Sequence, residues 1–287
     1  MREVRSADAM RVLSRRARRR GESIGFVPTM GALHEGHLSL VRRARREHDR
    51  VVVSLFVNPL QFGPREDFRR YPRDTAGDAR LCRAAGCDWL FRPTAPALYP
   101  LDFETSVRPG DLAARWEGAE RPGHFSGVCT IVLKLLQIVE PETLYLGRKD
   151  AQQAAVVGAM MRDFNMAARL VVAPIVRDRD GVALSSRNVY MSPEERVRAA
   201  GLPRALRAAS RLARRGVRDA RRLEAEARGV LRRDAKPRRI DYLKVVDPKT
   251  FAPVARLEGR ALLLASVRIG RTRLLDNRFL TPTRGSR

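Results

Sequence analysis

The sequence predicts an α/β protein built on an open parallel sheet with helices on both faces, followed by a smaller α+β domain. Three observations lead there. Short apolar, β-branched runs alternate with stretches of helical periodicity up to about residue 176. Residues suited to binding chemistry cluster just past the ends of those runs, where parallel sheets hold their ligands. Beyond that point the composition turns to a long helical stretch rich in arginine and alanine. The pattern is Rossmann-like. It divides the chain into a binding domain of residues 1–176 and a lid-like domain of residues 177–287.

Near the N-terminus the chain reads as an amphipathic helix carrying Met10, Val12 and Leu13. Residues 24–27 form a short strand that ends at Pro28, and residues 38–47 have helical spacing, with Leu38 and Val41 on one side and arginines on the other. Residues 51–57 are a buried strand that stops at Asn58-Pro59. Strand, tight loop, helix and strand make a right-handed βαβ unit with parallel strands. The cycle continues with a helix at 75–85, a strand at 89–91 and a strongly apolar helix at 129–139. A strand at 143–146, a helix at 152–163 and a strand at 170–173 complete it. The second domain combines helical residues 193–234 with strands at 240–246 and 261–267 and a basic tail.

Bulk properties narrow the function classes. The chain has 287 residues and is 44% apolar, enough for a sizeable core. Its formal charge of +25 would attract anions, yet the excess is arginine spread over many segments, with only five lysines. No zinc finger, aromatic RNA-binding sheet or glycine clamp accompanies it, so a nucleic-acid-binding module is the weaker alternative. Cys82, Cys87 and Cys129 form no metal-like cluster and fit a reducing cytoplasm. No apolar window suits a signal sequence or a membrane span. A cytoplasmic location without membrane association is expected.

The segment from Pro28 to His37 joins a strand to a helix through Met30, Gly31, His34 and Gly36. Its glycines allow tight turning, and the helix expected to start near His37 and Leu38 aims backbone N–H groups and a positive dipole end at the loop. Two imidazoles three residues apart would meet phosphates there as donors. The plain alternative makes one histidine a cap and the other a surface residue. The glycines match neither the dinucleotide fingerprint nor the P-loop, and no third ligand completes a zinc site.

Asn58 and Gln61 follow the next strand, where neutral amides would hold a hydroxyl or carboxylate. The loop from Glu117 to Phe125 is polar and glycine-bearing, suited to a cation ligand and a phosphate contact. Gly147, Lys149 and Asp150 lead into Gln152 and Gln153 at another strand-to-helix junction, where a lysine can neutralise charge building on a phosphate. Ser185, Ser186 and Arg187 offer hydroxyls and a guanidinium suited to a triphosphate. The arginines of residues 196–233 read as a solvated face, and Cys82 and Cys87 as packing.

Taken in order, PTMGALHEGH, FVNPLQF with YPR, EGAERPGHFSGV, GRKDAQQ and LSSRN closely resemble the pantothenate synthetase (pantoate–β-alanine ligase) family. The HxGH element alone indicates only the wider nucleotidylyltransferase group, and a nucleotidylyltransferase moving AMP onto a phosphate ester is the enzyme alternative. The resemblance implies condensation of pantoate with β-alanine at the expense of ATP, through a pantoyl adenylate. By it, His34 and His37 contact ATP phosphates, helped by the backbone of Met30 and Gly31. Asn58, Gln61 and Gln153 match pantoate-binding positions. Lys149, Ser185, Ser186 and Arg187 match the groups that stabilise phosphates and leaving pyrophosphate. Gly147, Asp150 and Val176 fall at nucleotide-binding positions. Asp78 and Glu117 match acidic positions near Mg2+ or phosphate. A homodimer is also implied. Three departures stand out: Arg148 where the family usually has glutamate, Ala151 where it has an aromatic ring, and Gly77 where a second acidic residue is often found.

Overall fold

The structure is a computed structural model and describes residues 1–64 and 66–282. It divides into two compact units. The first holds Met1–Arg148 and Gln152–Pro174; the second holds Lys149–Ala151 and the chain from Ile175 onward.

In the first unit six parallel strands lie in the order β1-β4-β3-β2-β5-β6. Along the chain these are β1 (Arg2–Val4), α1 (Ala7–Arg19), β2 (Ile24–Thr29), α2 (Glu35–Glu47), β3 (Arg50–Leu55), α3 (Thr75–Ala84), β4 (Trp89–Phe91) and α4 (Ala95–Leu98). Then come α5 (Glu117–Glu120), α6 (His124–Val139), β5 (Thr143–Gly147), α7 (Ala151–Asp163) and β6 (Arg169–Ala173).

The central strands β2 to β5 are apolar on both faces because both faces are covered, while the edge strands β1 and β6 are partly exposed. Phe26, Val52, Phe91 and Leu144 pack with residues of α1, α6 and α7. Their neighbours Val27, Val51, Val53, Leu90 and Tyr145 pack with residues of α2 and α3 on the other side. This is the two-residue alternation of a strand, read out as two cores. Burying a side chain of this size contributes roughly 1.5–3 kcal/mol.

Several expectations change. β2 continues through Pro28 to Thr29, with Pro28 in register with Ser54 of β3. Its ladder to β5 is confined to Gly25 and Phe26, so the donor that proline lacks falls beyond that pairing. In α1 the buried residues are Met10, Ser14 and Ala17, while Val12 is exposed. α6 starts five residues earlier than its apolar run, at His124.

The second unit has α8 (Pro193–Ala199), α9 (Gly201–Arg214) and α10 (Ala220–Val230). Its antiparallel sheet is β7 (Arg239–Val246), β8 (Ala261–Ile269) and β9 (Thr272–Leu280). Leu206, Leu223, Leu243, Leu263, Leu274 and Leu280 share one core between helices and sheet. Most of the expected basic tail is therefore a strand, and residues 283–287 lie outside the described residues. Asp276 and Arg278 break the apolar alternation of β9. Asp276 is tolerated inside because Arg177 grips it with two bonds of 2.6 and 2.8 Å. No helix among the described residues is long and apolar enough to cross a membrane.

Candidate active site

The order of the parallel sheet reverses at β2, which lies between β3 and β5. At such a switch point the chain leaves neighbouring strands in opposite directions and opens a crevice at their carboxyl ends. The segments that leave there are residues 30–34 after β2 and the stretch that starts at Gly147, the last residue of β5.

After Thr29 the backbone turns left-handed twice, at Gly31 with φ 84° and at Ala32 with φ 49°. Glycine adopts this readily; for alanine it costs roughly 1–2 kcal/mol. The Gly31 N–H donates to Thr29 Oγ1 at 3.2 Å. The next two N–H groups, of Ala32 and Leu33, donate to Asp78 Oδ2 and Oδ1 at 2.9 and 2.7 Å. Asp78 is buried in the first turn of α3. Burial pushes its carboxyl pKa up, and the two N–H bonds oppose that without cancelling it.

α2 then begins at Glu35, with His34 as its N-cap. The expected start near His37 is two to three residues late, because no Ser, Thr, Asp or Asn marks the cap. His34 Nδ1 accepts from the Gly36 N–H at 3.1 Å, and His37 Nδ1 accepts from the His34 N–H at 3.4 Å. Cap and phosphate ligand are therefore compatible roles. An Nδ1 that accepts puts the proton of a neutral ring on Nε2, so capping sets both imidazoles as Nε2–H donors. The ring centroids are 4.1 Å apart.

Asn58 caps the short turn Pro59–Gln61 and is buried. Its Oδ1 accepts from Leu60 N–H at 3.3 Å and from the Tyr99 hydroxyl at 2.8 Å. Its Nδ2 donates to Gln61 Oε1 at 3.1 Å and to the Gly127 carbonyl at 3.0 Å. All four hydrogen-bonding positions of this amide are thus engaged within the protein, one of them by the Gln61 side chain. Gln61 Nε2 in turn donates to Met30 Sδ at 3.1 Å, which joins the β3 turn to the β2 loop.

His124 and Arg121 brace the same turn. The Gln61 carbonyl lies 2.9 Å from His124 Nδ1 and accepts from Arg121 Nη2 at 3.2 Å. Arg121 also grips Glu66 through bonds of 2.7 and 2.6 Å. Burial raises the Glu66 carboxyl pKa, but the Arg121 bonds and charge outweigh it and the net shift is downward. Burial, with the Arg121 charge, pushes the His124 imidazole down to about 4. The loop expected to carry a cation and a phosphate contact here supports Gln61. Sequence reasoning missed Tyr99 and His124, since a lone tyrosine and a lone histidine carry no periodic signal.

Gln152 and Gln153 separate on the helix. Gln152 is buried and binds the Leu112 and Arg115 carbonyls at 2.9 and 2.8 Å, and it accepts from Glu117 N–H at 3.0 Å. Gln153 is half-buried. Glu117 is buried, with its carboxylate 3.6 Å from Arg121 Nη1. Among the described residues no group of three or more His, Cys, Asp or Glu is arranged to hold a metal ion. At Gly77 an added Cβ would run into the carboxylate of Asp74, which caps α3 through the Gly77 N–H at 2.9 Å. This accounts for the small residue beside Asp78.

The remaining candidates belong to the second unit. Lys149 Nζ lies 3.4 Å from Asp150 Oδ1, and the Lys149 carbonyl accepts from Asn277 Nδ2 at 3.0 Å. Val176 accepts from Leu184 N–H at 3.1 Å, closing the turn that leads to the serines. Ser185 Oγ caps the turn Ser186–Tyr190 by accepting from Arg187 N–H at 3.3 Å, and Asn188 Nδ2 ties it to the Ala183 carbonyl at 3.1 Å.

Known proteins match this chain over nearly its whole length. The profile of the pantoate-beta-alanine ligase family matches residues 2–279. A pantothenate synthetase from Heliobacterium modesticaldum is 51% identical over 278 residues, covering 96% of this chain and 98% of that protein. One from Thermotoga petrophila is 47% identical over 280 residues, covering 98% and 100%. The crystal structure of pantothenate synthetase from Thermus thermophilus superposes with a TM-score of 0.93 at 46% identity, covering 98% of this chain and 100% of that one. A pantoate-beta-alanine ligase from Francisella tularensis, complexed with beta-gamma ATP and beta-alanine, gives 0.80 at 33% identity, covering 97% of each. The chain belongs to the pantoate–β-alanine ligase family.

Proposed function

We propose that the chain condenses pantoate with β-alanine at the expense of ATP, through a pantoyl adenylate. The observation that carries this is the capped histidine pair at the sheet's switch point, on the loop that Gln61 joins through Met30. A pantoate carboxylate oxygen attacks the α-phosphorus of ATP, and the bond to pyrophosphate breaks. The β-alanine amine then attacks the activated carbonyl, AMP leaves with the bonding pair, and the amine loses a proton.

Neither step needs a side-chain nucleophile, because a carboxylate already is one. What the reaction needs is alignment, stabilised charge and exclusion of water from the mixed anhydride. His34 and His37 donate from Nε2 to phosphate oxygens, next to the positive end of α2. Gln61 and Gln153 hold pantoate, and Asn58 keeps Gln61 aimed. Lys149, Ser185, Ser186 and Arg187 neutralise charge on the phosphates and the leaving pyrophosphate. Gly147, Asp150 and Val176 bind the nucleoside. Mg2+ would enter with ATP and would supply neutralisation of charge on its phosphates. The protein acts in the cytoplasm as a homodimer.

The test is incubation with ATP, Mg2+ and pantoate, with and without β-alanine. AMP release that requires both acids is expected. Release that follows a phosphate ester and ignores β-alanine would overturn the proposal.

A further inference from the structure

We infer that Asp78 is a positioning residue: its carboxylate holds the backbone of residues 31–33, and through it the two imidazoles, and it is not a magnesium ligand. This rests on the reading that His34 and His37 meet ATP phosphates.

Asp78 projects from α3, an element that contributes neither histidine. Both of its oxygens accept backbone N–H groups, from Ala32 at 2.9 Å and Leu33 at 2.7 Å. Two successive amides on one carboxylate form a clamp with charge-assisted strength. The clamp sits where the chain most needs one. Gly31 and Ala32 are both left-handed, and Ala32 carries a Cβ that disfavours that conformation. The carboxylate also packs close: a Cβ on Gly31 would lie 2.9 Å from Asp78 Oδ2. The residue after Leu33 is His34, whose ring caps α2 and whose own N–H is taken by His37. The path from carboxylate to imidazoles is therefore a short run of hydrogen-bonded backbone.

Two alternative roles fit less well. α3 already has its cap in Asp74, so Asp78 is not spent on its own helix. Magnesium requires nearly octahedral coordination at roughly 2.0–2.1 Å and retains several waters. Asp78 is only 4% exposed, and both of its oxygens are already engaged by backbone N–H groups, which leaves little room for a hydrated cation.

Two measurements test this. In the first, wild-type enzyme is titrated with Mg2+ alone while the Ala32 and Leu33 amide resonances are followed. They should stay unmoved, whereas a saturable shift of both would overturn the inference. In the second, Asp78→Asn and Asp78→Glu are assayed for AMP release at several Mg2+ concentrations. Asparagine keeps an acceptor at only one of the two oxygen positions that the amides meet, and glutamate is a competent metal ligand with the wrong reach. Both should lose roughly tenfold to a hundredfold in kcat/KM for ATP. The loss should persist at high Mg2+, with KM for β-alanine and the inhibition constant for adenosine near wild type. Recovery at high Mg2+, or wild-type behaviour of Asp78→Glu, would return the residue to the metal. A wild-type enzyme that releases no AMP would remove the ligase reading, while the amide titration would still decide the role of Asp78.

Discussion

His34 caps α2 with the nitrogen that faces the helix and leaves the other nitrogen as a donor, so one side chain serves stability and chemistry. The two roles separate by substitution. Asparagine is among the best N-caps, so His34→Asn should keep the helix end and shift the melting temperature by no more than a few degrees. It removes the imidazole donor, and pantoate-dependent AMP release should fall roughly 100-fold to 1,000-fold. A variant that retains wild-type turnover would reduce the histidine to its cap. His124 is the complementary case, a histidine kept neutral. Its folded pKa is held at about 4 by burial, against the usual 6.5. Between those values the unfolded chain binds more protons than the folded one. The contribution of this group is therefore complete above about pH 6.5 and is lost as pH falls towards 4, on the order of 3 kcal/mol in all. Urea unfolding across that range should show a shallower pH slope for His124→Gln than for wild type, and identical slopes would mean that the imidazole titrates normally.

Among the elements, α6 bears most directly on pantoate. Gly127, in its first turn, lies so close to the preceding turn that a Cβ would collide with the Leu60 carbonyl and sit 2.6 Å from the Gln61 nitrogen. Gly127→Ala should push the Pro59–Gln61 turn away from Met30 and break the bond between Asn58 and the Gly127 carbonyl. The expected result is a rise of roughly tenfold or more in KM for pantoate with KM for ATP little changed, because His34 and His37 hang from a different strand. Equal losses for both substrates would point instead to general unfolding of α6. Elements of this kind show what patterning can and cannot reveal. The buried strands and α2 were legible because their apolar periodicity is strong. β9 was not, since it carries an internal ion pair between Asp276 and Arg177 at sites that alternation reserves for apolar groups. The aiming of Gln61 by Tyr99 and His124 was illegible for another reason. It joins residues distant in sequence through single hydrogen bonds, which leave no repeat to read.

At the scale of the whole molecule, the formal charge of +25 is the largest feature that the site does not explain. Many arginines are paired locally. Arg15 and Arg18 share Glu140, and Arg239, Arg268 and Arg273 surround Asp241. The pairs of Arg15 and Arg18 with Glu140 lie at the surface and are worth roughly 0–1 kcal/mol each, whereas the Asp241 side chain is buried and needs its arginines to compensate its charge. The surplus still produces a positive field, and MgATP, pantoate and pyrophosphate are all anions. The field should therefore favour their approach, and added salt should weaken it as the Debye length falls from about 10 Å at 0.1 M to about 3 Å at 1 M. Between about 0.05 and 0.5 M salt, kcat/KM for ATP is expected to fall several-fold with kcat nearly constant, while the melting temperature stays within a few degrees. Duplex DNA should bind only at the low end of that range and should not inhibit at about 0.2 M salt, because contacts made by dispersed arginines give no specific term to survive screening. A DNA complex that persists at about 0.2 M, or a kcat/KM indifferent to salt, would mean that the charge is arranged for a purpose other than drawing in small anionic substrates.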